Sequence, residues 1–558
     1  MKKMRKTLAL LLTLIMALTL VIACGEAEDN QAAPGTGADT GQAATDPADP
    51  AGTAPENEET MVISIVNWDI GISFSDEDDE MRIFFEEKFN IEIDPWNVTW
   101  ADAGELIPLW AAAGDLPDVI GGVALLEGPT FFQWVSDGVV RSLFEDLSPY
   151  PNLERIMRQP SVAVFQVDGR DYMIPRMSYE DITYWPMERG LISRRDWREN
   201  LGLPIPVTEQ DFIDLLVAFQ TGDPDGNGIV DTTGLANTDP WLLYSQVWAG
   251  HGFTDARWNW NEDGTAVVMA ALEETSIPLL SFFRRLNREG GLDPDFALYG
   301  LMDAQNAFAA GKVGMLNAQN HPGRMETVRR AWEEFPENPP FLEAVEILRP
   351  PLYPGKEFMA FVLPPFWSET YINASVDDVK LHRILQMFDW MFSEEGMMFS
   401  RFGREGMQWE WDGDDIRFLT EINPDTGQPF TPMSLYPFLN GGMRTLAGWG
   451  RSMTYIDPGS PPELLAMLRE EKVYRENNWT FPRVDLRLLT IDVPEIAMMT
   501  IDVPHEWVRF ITDLSDTSDR DLFFSLRAEW LANGYQAAKD ALTAAAIARG
   551  YTRDNMIY

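Results

Sequence analysis

The chain is 558 residues long and carries 88 Asp and Glu against 43 Lys and Arg, a formal charge of −45 at pH 7. A field of that sign disfavours nucleic acid or another polyanion as the partner. Apolar residues at 45% and aromatics at 12% allow a large core and two or three ordinary domains. Past the N-terminus no long apolar stretch occurs, which excludes a membrane-spanning permease.

The first six residues, Met1-Lys2-Lys3-Met4-Arg5-Lys6, form a basic stub, and an apolar run at 7–21 follows. Basic stub, short apolar run and a small residue before the cut predict a secretory signal over 1–23. The ending Val21-Ile22-Ala23-Cys24 resembles the lipobox of bacterial lipoproteins, which implies that Cys24 is acylated and becomes the first mature residue. Cys24 is the one cysteine of the chain, so no disulfide can form. Residues 24–60 are the lipidated cysteine and a stalk rich in Ala, Gly, Pro, Thr, Asp and Glu, without aromatic or basic residues. Such a composition buries too little apolar area to order itself.

Folded sequence starts at Met61-Val62-Ile63-Ser64-Ile65-Val66-Asn67-Trp68, β-branched and apolar, a strand. Met81, Phe84, Phe85 and Phe89 recur at helical spacing over 78–90. A strand at 91–98, a helix at 103–113 and a strand with a glycine turn at 116–122 follow. Strand and helix alternate, which predicts a parallel sheet of βαβ units.

Phe85-Glu86-Glu87-Lys88, Trp100-Ala101-Asp102, and Gly114-Asp115-Leu116-Pro117-Asp118-Val119 then come in order. Trp134-Val135-Ser136-Asp137-Gly138, Val167-Asp168-Gly169-Arg170-Asp171-Tyr172 and Leu203-Pro204-Ile205-Pro206-Val207-Thr208 continue the series. Ala307-Phe308-Ala309-Ala310-Gly311-Lys312 and Phe388-Asp389-Trp390-Met391 close it. The ordered set, over most of 61–410, resembles the extracellular solute-binding proteins of family 1, and the long form is similar to the LipO and alginate-binding subgroup. The resemblance implies an α/β, two-lobed periplasmic-binding-protein-like fold of type II, with discontinuous lobes joined by a hinge. The expected order is 61–175 in the first lobe, 176–304 in the second, 305–365 back in the first and 366–558 in the second. Hinges are expected near Ile174-Pro175, around 305–320 and around 360–370, with 411–483 an elaboration of the subgroup.

The run Asp223-Pro224-Asp225-Gly226-Asn227-Gly228-Ile229-Val230-Asp231 sets oxygen side chains at loop positions 1, 3, 5 and 9, with glycine at position 6. Hard oxygen ligands at that spacing predict calcium, held by Asp223, Asp225, Asn227, the Ile229 carbonyl and Asp231. Position 12 is Gly234, so the bidentate glutamate of a full EF-hand is missing. The resemblance implies an acid after the position-9 Asp, where this chain has Thr232, so water or the Thr232 hydroxyl would complete the set.

No catalytic constellation stands out. The four histidines, His251, His321, His382 and His505, lack a zinc spacing, and neither a GxSxG nor a Walker loop is present. The chain therefore reads as a binding protein and not an enzyme. Sugar rings stack on indole while acids, amides and arginine take the hydroxyls. Candidates at strand ends and lobe crossings are Asn67, Trp68, Asp69, Arg176, Tyr179, Tyr184 and Trp185. Trp241, Trp248 and Trp258 follow the calcium loop, and Arg404 and Trp409 lie in a block that the family places near its cleft. The reading is of a monomer on the extracellular face of the membrane that passes an oligosaccharide to an ABC permease. A surface sensor, a peptide binder or a lipoprotein glycosidase on the same fold are the alternatives.

Overall fold

In this computed structural model, residues 59–557 are described apart from 125, 127–129, 179–181, 238–246, 253–256, 361–364, 414, 425–428 and 449–459. Cys24, Tyr179 and Trp241 lie outside the described residues. The strands in chain order are β1 (Met61–Trp68), β2 (Ile91–Val98), β3 (Val119–Val123), β4 (Ile174–Met177), β5 (Gly190–Arg194), β6 (Thr233–Asn237), β7 (Trp258–Trp260), β8 (Val267–Met269), β9 (Val313–Ala318), β10 (Val345–Leu348), β11 (Phe366–Ile372), β12 (Trp409–Asp412) and β13 (Asp415–Phe418). They build one sheet in the order β2-β1-β3-β11-β4, a second in the order β10-β5-β9-β6, and two hairpins. This is the two-lobed α/β architecture of type II, one lobe around each sheet.

In the first lobe β1 runs parallel to β2 and β3, and Ile63, Ile65 and Val66 are fully buried. The Glu80–Phe89 helix covers this sheet with Met81, Phe85 and Phe89, four residues apart on one face. Its start is fixed by Asp79, whose carboxylate accepts from the Met81 and Arg82 amides. Burying a side chain such as Phe85 is worth roughly 2–3 kcal/mol. The sheet is not wholly parallel, as the βαβ pattern predicted. β11 is antiparallel to both β3 and β4, because it re-enters the lobe from its far end.

The expected lobe boundaries are corrected by strand pairing. β9 lies between β5 and β6, and β10 pairs with β5, so 305–365 continues the second lobe. The return to the first lobe comes with β11. Val313–Ala318, expected near a hinge, is buried at every position because it is an interior strand. The chain crosses between the sheets from β4 to β5 and from β10 to β11.

Nor is 411–483 peripheral. Phe438, Leu439, Met443 and Leu446 complete the core of the first lobe, whereas Leu464 and Leu468 of the Pro462–Asn478 helix pack into the second. Gly442 explains how closely the first of these pieces approaches β1. A Cβ there would stand 2.4 Å from the Trp68 carbonyl oxygen. The helices Val503–Ile511 and Asp519–Trp530 close the second lobe with Trp507, Phe510, Phe523 and Trp530. Among the described residues no helix is long and apolar enough to cross a membrane.

Candidate ligand cleft

Two of the expected residues, Trp68 at the end of β1 and Arg176 on β4, meet over the first sheet. Arg176, on β4, is 2% exposed and lies between two indoles, its guanidinium 4.3 Å from the Trp68 ring and 4.6 Å from the Trp367 ring. Its Nε donates to the Trp367 carbonyl at 3.2 Å. Burial pushes the guanidinium down to about 9, against which the buried Glu369 carboxylate favours the charged form. Trp367 and Glu369 flank Ser368, a buried residue at φ 67 where the pairing of β11 slips. A bulge of this kind rotates side chains across a sheet. Here it leaves Trp367 against Trp68, ring centroids 5.2 Å apart.

Asn67 serves as a clamp. Its Nδ2 donates to the Gly442 carbonyl at 2.8 Å and lies 3.4 Å from Thr445 Oγ1, while its Oδ1 accepts from the Trp68 amide. Its amide is thus committed within the protein, which corrects the expectation that it faces a ligand. Asp69 is exposed and left-handed at φ 51, at the start of the Ile70–Ser73 helix.

Asn67 pins Gly442 and lies 3.4 Å from Thr445, and residues 431–445 of that segment wall a cavity of about 710 Å³. Its other wall is the Pro322–Glu333 helix of the second lobe, which presents Arg324, Thr327 and Arg330, with Gln305 beside it. The first lobe contributes Arg401, Ser434, Asn440 and Arg444. A cavity of this size between two lobes is a common place for a small-molecule site, and here most of the lining residues are polar or charged. His321 also lines it, and burial together with Arg324, Arg401 and Arg189 pushes its imidazole down to about 3.

No family model matches the chain. It is 27% identical over 334 residues to Lipoprotein LipO of Bacillus subtilis (strain 168), which covers 56% of this chain and 61% of that protein. Over 345 residues it is 25% identical to the polygalacturonan/rhamnogalacturonan-binding protein YtcQ of the same organism, 60% of this chain and 64% of the relative. The fructooligosaccharide ABC transporter substrate-binding protein FusA of Streptococcus pneumoniae is 28% identical over 224 residues, 38% of this chain and 40% of its own. The chain thus spans less than two thirds of the length of the curated relatives it matches. Among solved structures, FusA in complex with kestose superposes with a TM-score of 0.66 at 17% identity, covering 88% of this chain and 99% of that one. The alginate-binding protein AlgQ2 without calcium ion gives 0.62 at 15% identity, over 88% and 98%. The chain is similar to extracellular solute-binding proteins in sequence over part of its length and in fold.

Other residues expected at the ligand lie elsewhere. Trp248 is a core residue, packed against Trp507 at 5.7 Å, and has no open face. Trp258 is half-buried on the β7–β8 hairpin and rests on Tyr535. Tyr184 is half-buried beneath the Lys472 ammonium, 4.5 Å from its ring, in the crossing that also holds Trp185. Arg404 and Trp409 meet in a different pocket of about 440 Å³ with Phe84 and Trp411, lined by the first lobe alone. Trp409 is buried there, its indole donating to the Gly403 carbonyl.

The sequence reading missed Arg401, Arg444, Gln305 and the 321–330 stretch. A signal existed: Gly441-Gly442 lies just before Met443-Arg444, and paired glycines mark a close backbone approach.

The loop after the Glu209–Thr221 helix partly fits calcium. The Gly228 amide donates to both Asp223 oxygens, and Asn227 Nδ2 lies 2.7 Å from Asp225 Oδ2 and 3.3 Å from Asp231 Oδ1. Two carboxylates, those of Asp225 and Asp231, thus lie about the Asn227 amide, and Ile229 lies in the same turn. Thr232 does not join them. It is buried, and its hydroxyl donates to the Phe219 carbonyl at 2.6 Å, which corrects its assignment as a ligand. Lys312 Nζ sits 2.8 Å from Asp231 and helps to hold that carboxyl below its usual range. Among the described residues no group of three or more acids, histidines or cysteines is arranged around a metal position.

Proposed function

We propose that this protein is the lipid-anchored substrate-binding component of an ABC importer, and that it takes an oligosaccharide between its lobes. The observation that carries the reading is the cavity of about 710 Å³ whose walls come from both lobes. A ligand touching both walls stabilises the closed arrangement by the difference in its affinity for the closed and open forms. Closure by a hinge then marks the loaded state for a permease. The relatives named for polygalacturonan and for fructooligosaccharide binding support a saccharide as cargo. The anchor at Cys24 supplies acyl chains that hold the protein at the extracellular face of the membrane, as a monomer. Calcium, bound by Asp223, Asp225, Asn227, the Ile229 carbonyl and Asp231, would brace the second lobe away from the cleft.

The test is a thermal-shift screen of the purified protein against plant and microbial oligosaccharides. One class of saccharide should raise the melting temperature without being cleaved, as expected of a ligand that binds the folded form alone. A flat response across the panel, or release of shorter products, would overturn the proposal.

A further inference from the structure

Resting on that reading of closure about a hinge, we infer that the Pro462–Asn478 helix and the two residues after it are a clamp. They fasten both crossings between the sheets to the second lobe, and so set how freely the lobes open. The helix belongs to the second lobe, where its Leu464 and Leu468 are buried. Its later turns face the chain that runs between the lobes. Arg475 is fully buried, and its Nη1 donates to the carbonyls of Pro186 at 2.6 Å and Arg189 at 2.7 Å, in the crossing from β4 to β5. Lys472, one turn earlier, donates to Thr183 Oγ1 of the same crossing at 3.3 Å. The crossing from β10 to β11 is held from the same helix. Arg349, just past β10, lies 3.5 Å from Glu471 and 3.2 Å from the centre of the Tyr474 ring. Glu471 also accepts from Arg475 at 2.7 Å, so one buried carboxylate joins the residues that hold the two crossings.

Past the helix the ties pass to the backbone. The Thr480 amide donates to the Phe358 carbonyl and the Ala360 amide to the Thr480 carbonyl, both at 2.8 Å. Trp479 stacks on Phe358, ring centroids 5.8 Å apart and planes 19° from parallel. Trp479, Ala249 and Ala360 form a small core of their own, with Tyr184, Phe358 and Phe481 against it. Both crossings thus share one apolar cluster and one carboxylate, and none of these residues lines the cavity. Chain fastened in this way moves with the second lobe. A hinge needs a few residues free to change φ and ψ, so bending is left to the first-lobe side of the ties. Fewer free residues mean fewer open arrangements, and less conformational entropy is lost when a ligand closes the lobes.

Spin labels on one exposed residue of each lobe, Leu109→Cys and Leu298→Cys in a Cys24→Ser background, let pulsed electron spin resonance read the inter-lobe distance of the ligand-free protein. Trp479→Ala removes the stack on Phe358. Arg349→Gln combined with Thr480→Pro severs ties of the second crossing at two exposed positions. Trp479, the residue ahead of that proline, is already extended at φ −109, ψ 144, as a proline requires of its predecessor. Both changes should widen the distance distribution about twofold or more. Arg509→Gln, which breaks a surface pair with Glu529 on the same lobe, should leave the width unchanged. An unchanged width in the double variant, whether or not Trp479→Ala folds, would overturn the inference, as would equal widening in Arg509→Gln. No ligand enters this measurement, so its failure is distinct from a flat saccharide panel, which bears on the proposed function.

Discussion

At the scale of single residues the stack of Trp68, Arg176 and Trp367 depends on a buried countercharge. Glu369 is nearly inaccessible and accepts from the Tyr371 hydroxyl at 3.2 Å. Glu369→Gln keeps that shape but leaves the Arg176 guanidinium, 2% exposed, without its carboxylate. Removing one partner of a buried pair costs about 3 kcal/mol, so denaturant unfolding should show a loss near that size. A change below 1 kcal/mol would mean that Arg176 does not rely on Glu369. His321 gives a second test, through pH. In the folded chain it refuses a proton down to about 3, under the influence of burial, Arg324, Arg401 and Arg189. The unfolded chain takes that proton near 6.5. Its contribution to stability is therefore complete above pH 6.5 and falls as pH drops through the interval below, at up to about 1.4 kcal/mol per unit. His321→Asn retains an N-cap acceptor for the Arg324 amide. Melting temperatures at pH 7, 6 and 5 should fall less steeply in that variant, and parallel slopes would contradict the assignment.

At the scale of elements, legibility followed burial pattern. The Glu80–Phe89 helix was plain in the sequence because its buried face recurs at helical spacing, and β1 was plain as a β-branched apolar run. β9 and β11 are buried along most of their length, so each reads as an apolar run with no sidedness, and nothing local tells which sheet it joins. That is why the return to the first lobe was misplaced. Tryptophans pose the same difficulty one residue at a time. Trp68 stacks on the buried Arg176 at the end of β1 and Trp248 sits in a core, yet indole suits either place. The spacing of the 223–231 loop was legible as a candidate for calcium, but the inward turn of Thr232 was not, since that depends on the Phe219 carbonyl of the preceding helix. Calcium should raise the melting temperature relative to a chelator, and Asp225→Ala should remove the increment. Identical melting with and without calcium would leave Lys312 as the only cation that the loop employs.

At the scale of the whole molecule, two lobes with separate cores share one cavity, and each supplies part of its lining. Such a division makes occupancy and lobe closure a single equilibrium. The arginines that dominate the lining come from the 321–330 stretch and from a return segment whose place in the first lobe only the fold reveals. The central claim, that cargo lies in this cavity, is tested most directly by filling it. Ser434 is exposed on the first-lobe wall, outside the core, and Ser434→Trp would occupy the space without disturbing packing. Binding of an oligosaccharide that raises the melting temperature of the wild type should be measured by calorimetry in both proteins. The account predicts that the variant keeps its melting temperature and loses binding at least tenfold. Unchanged affinity in a folded Ser434→Trp protein would contradict it.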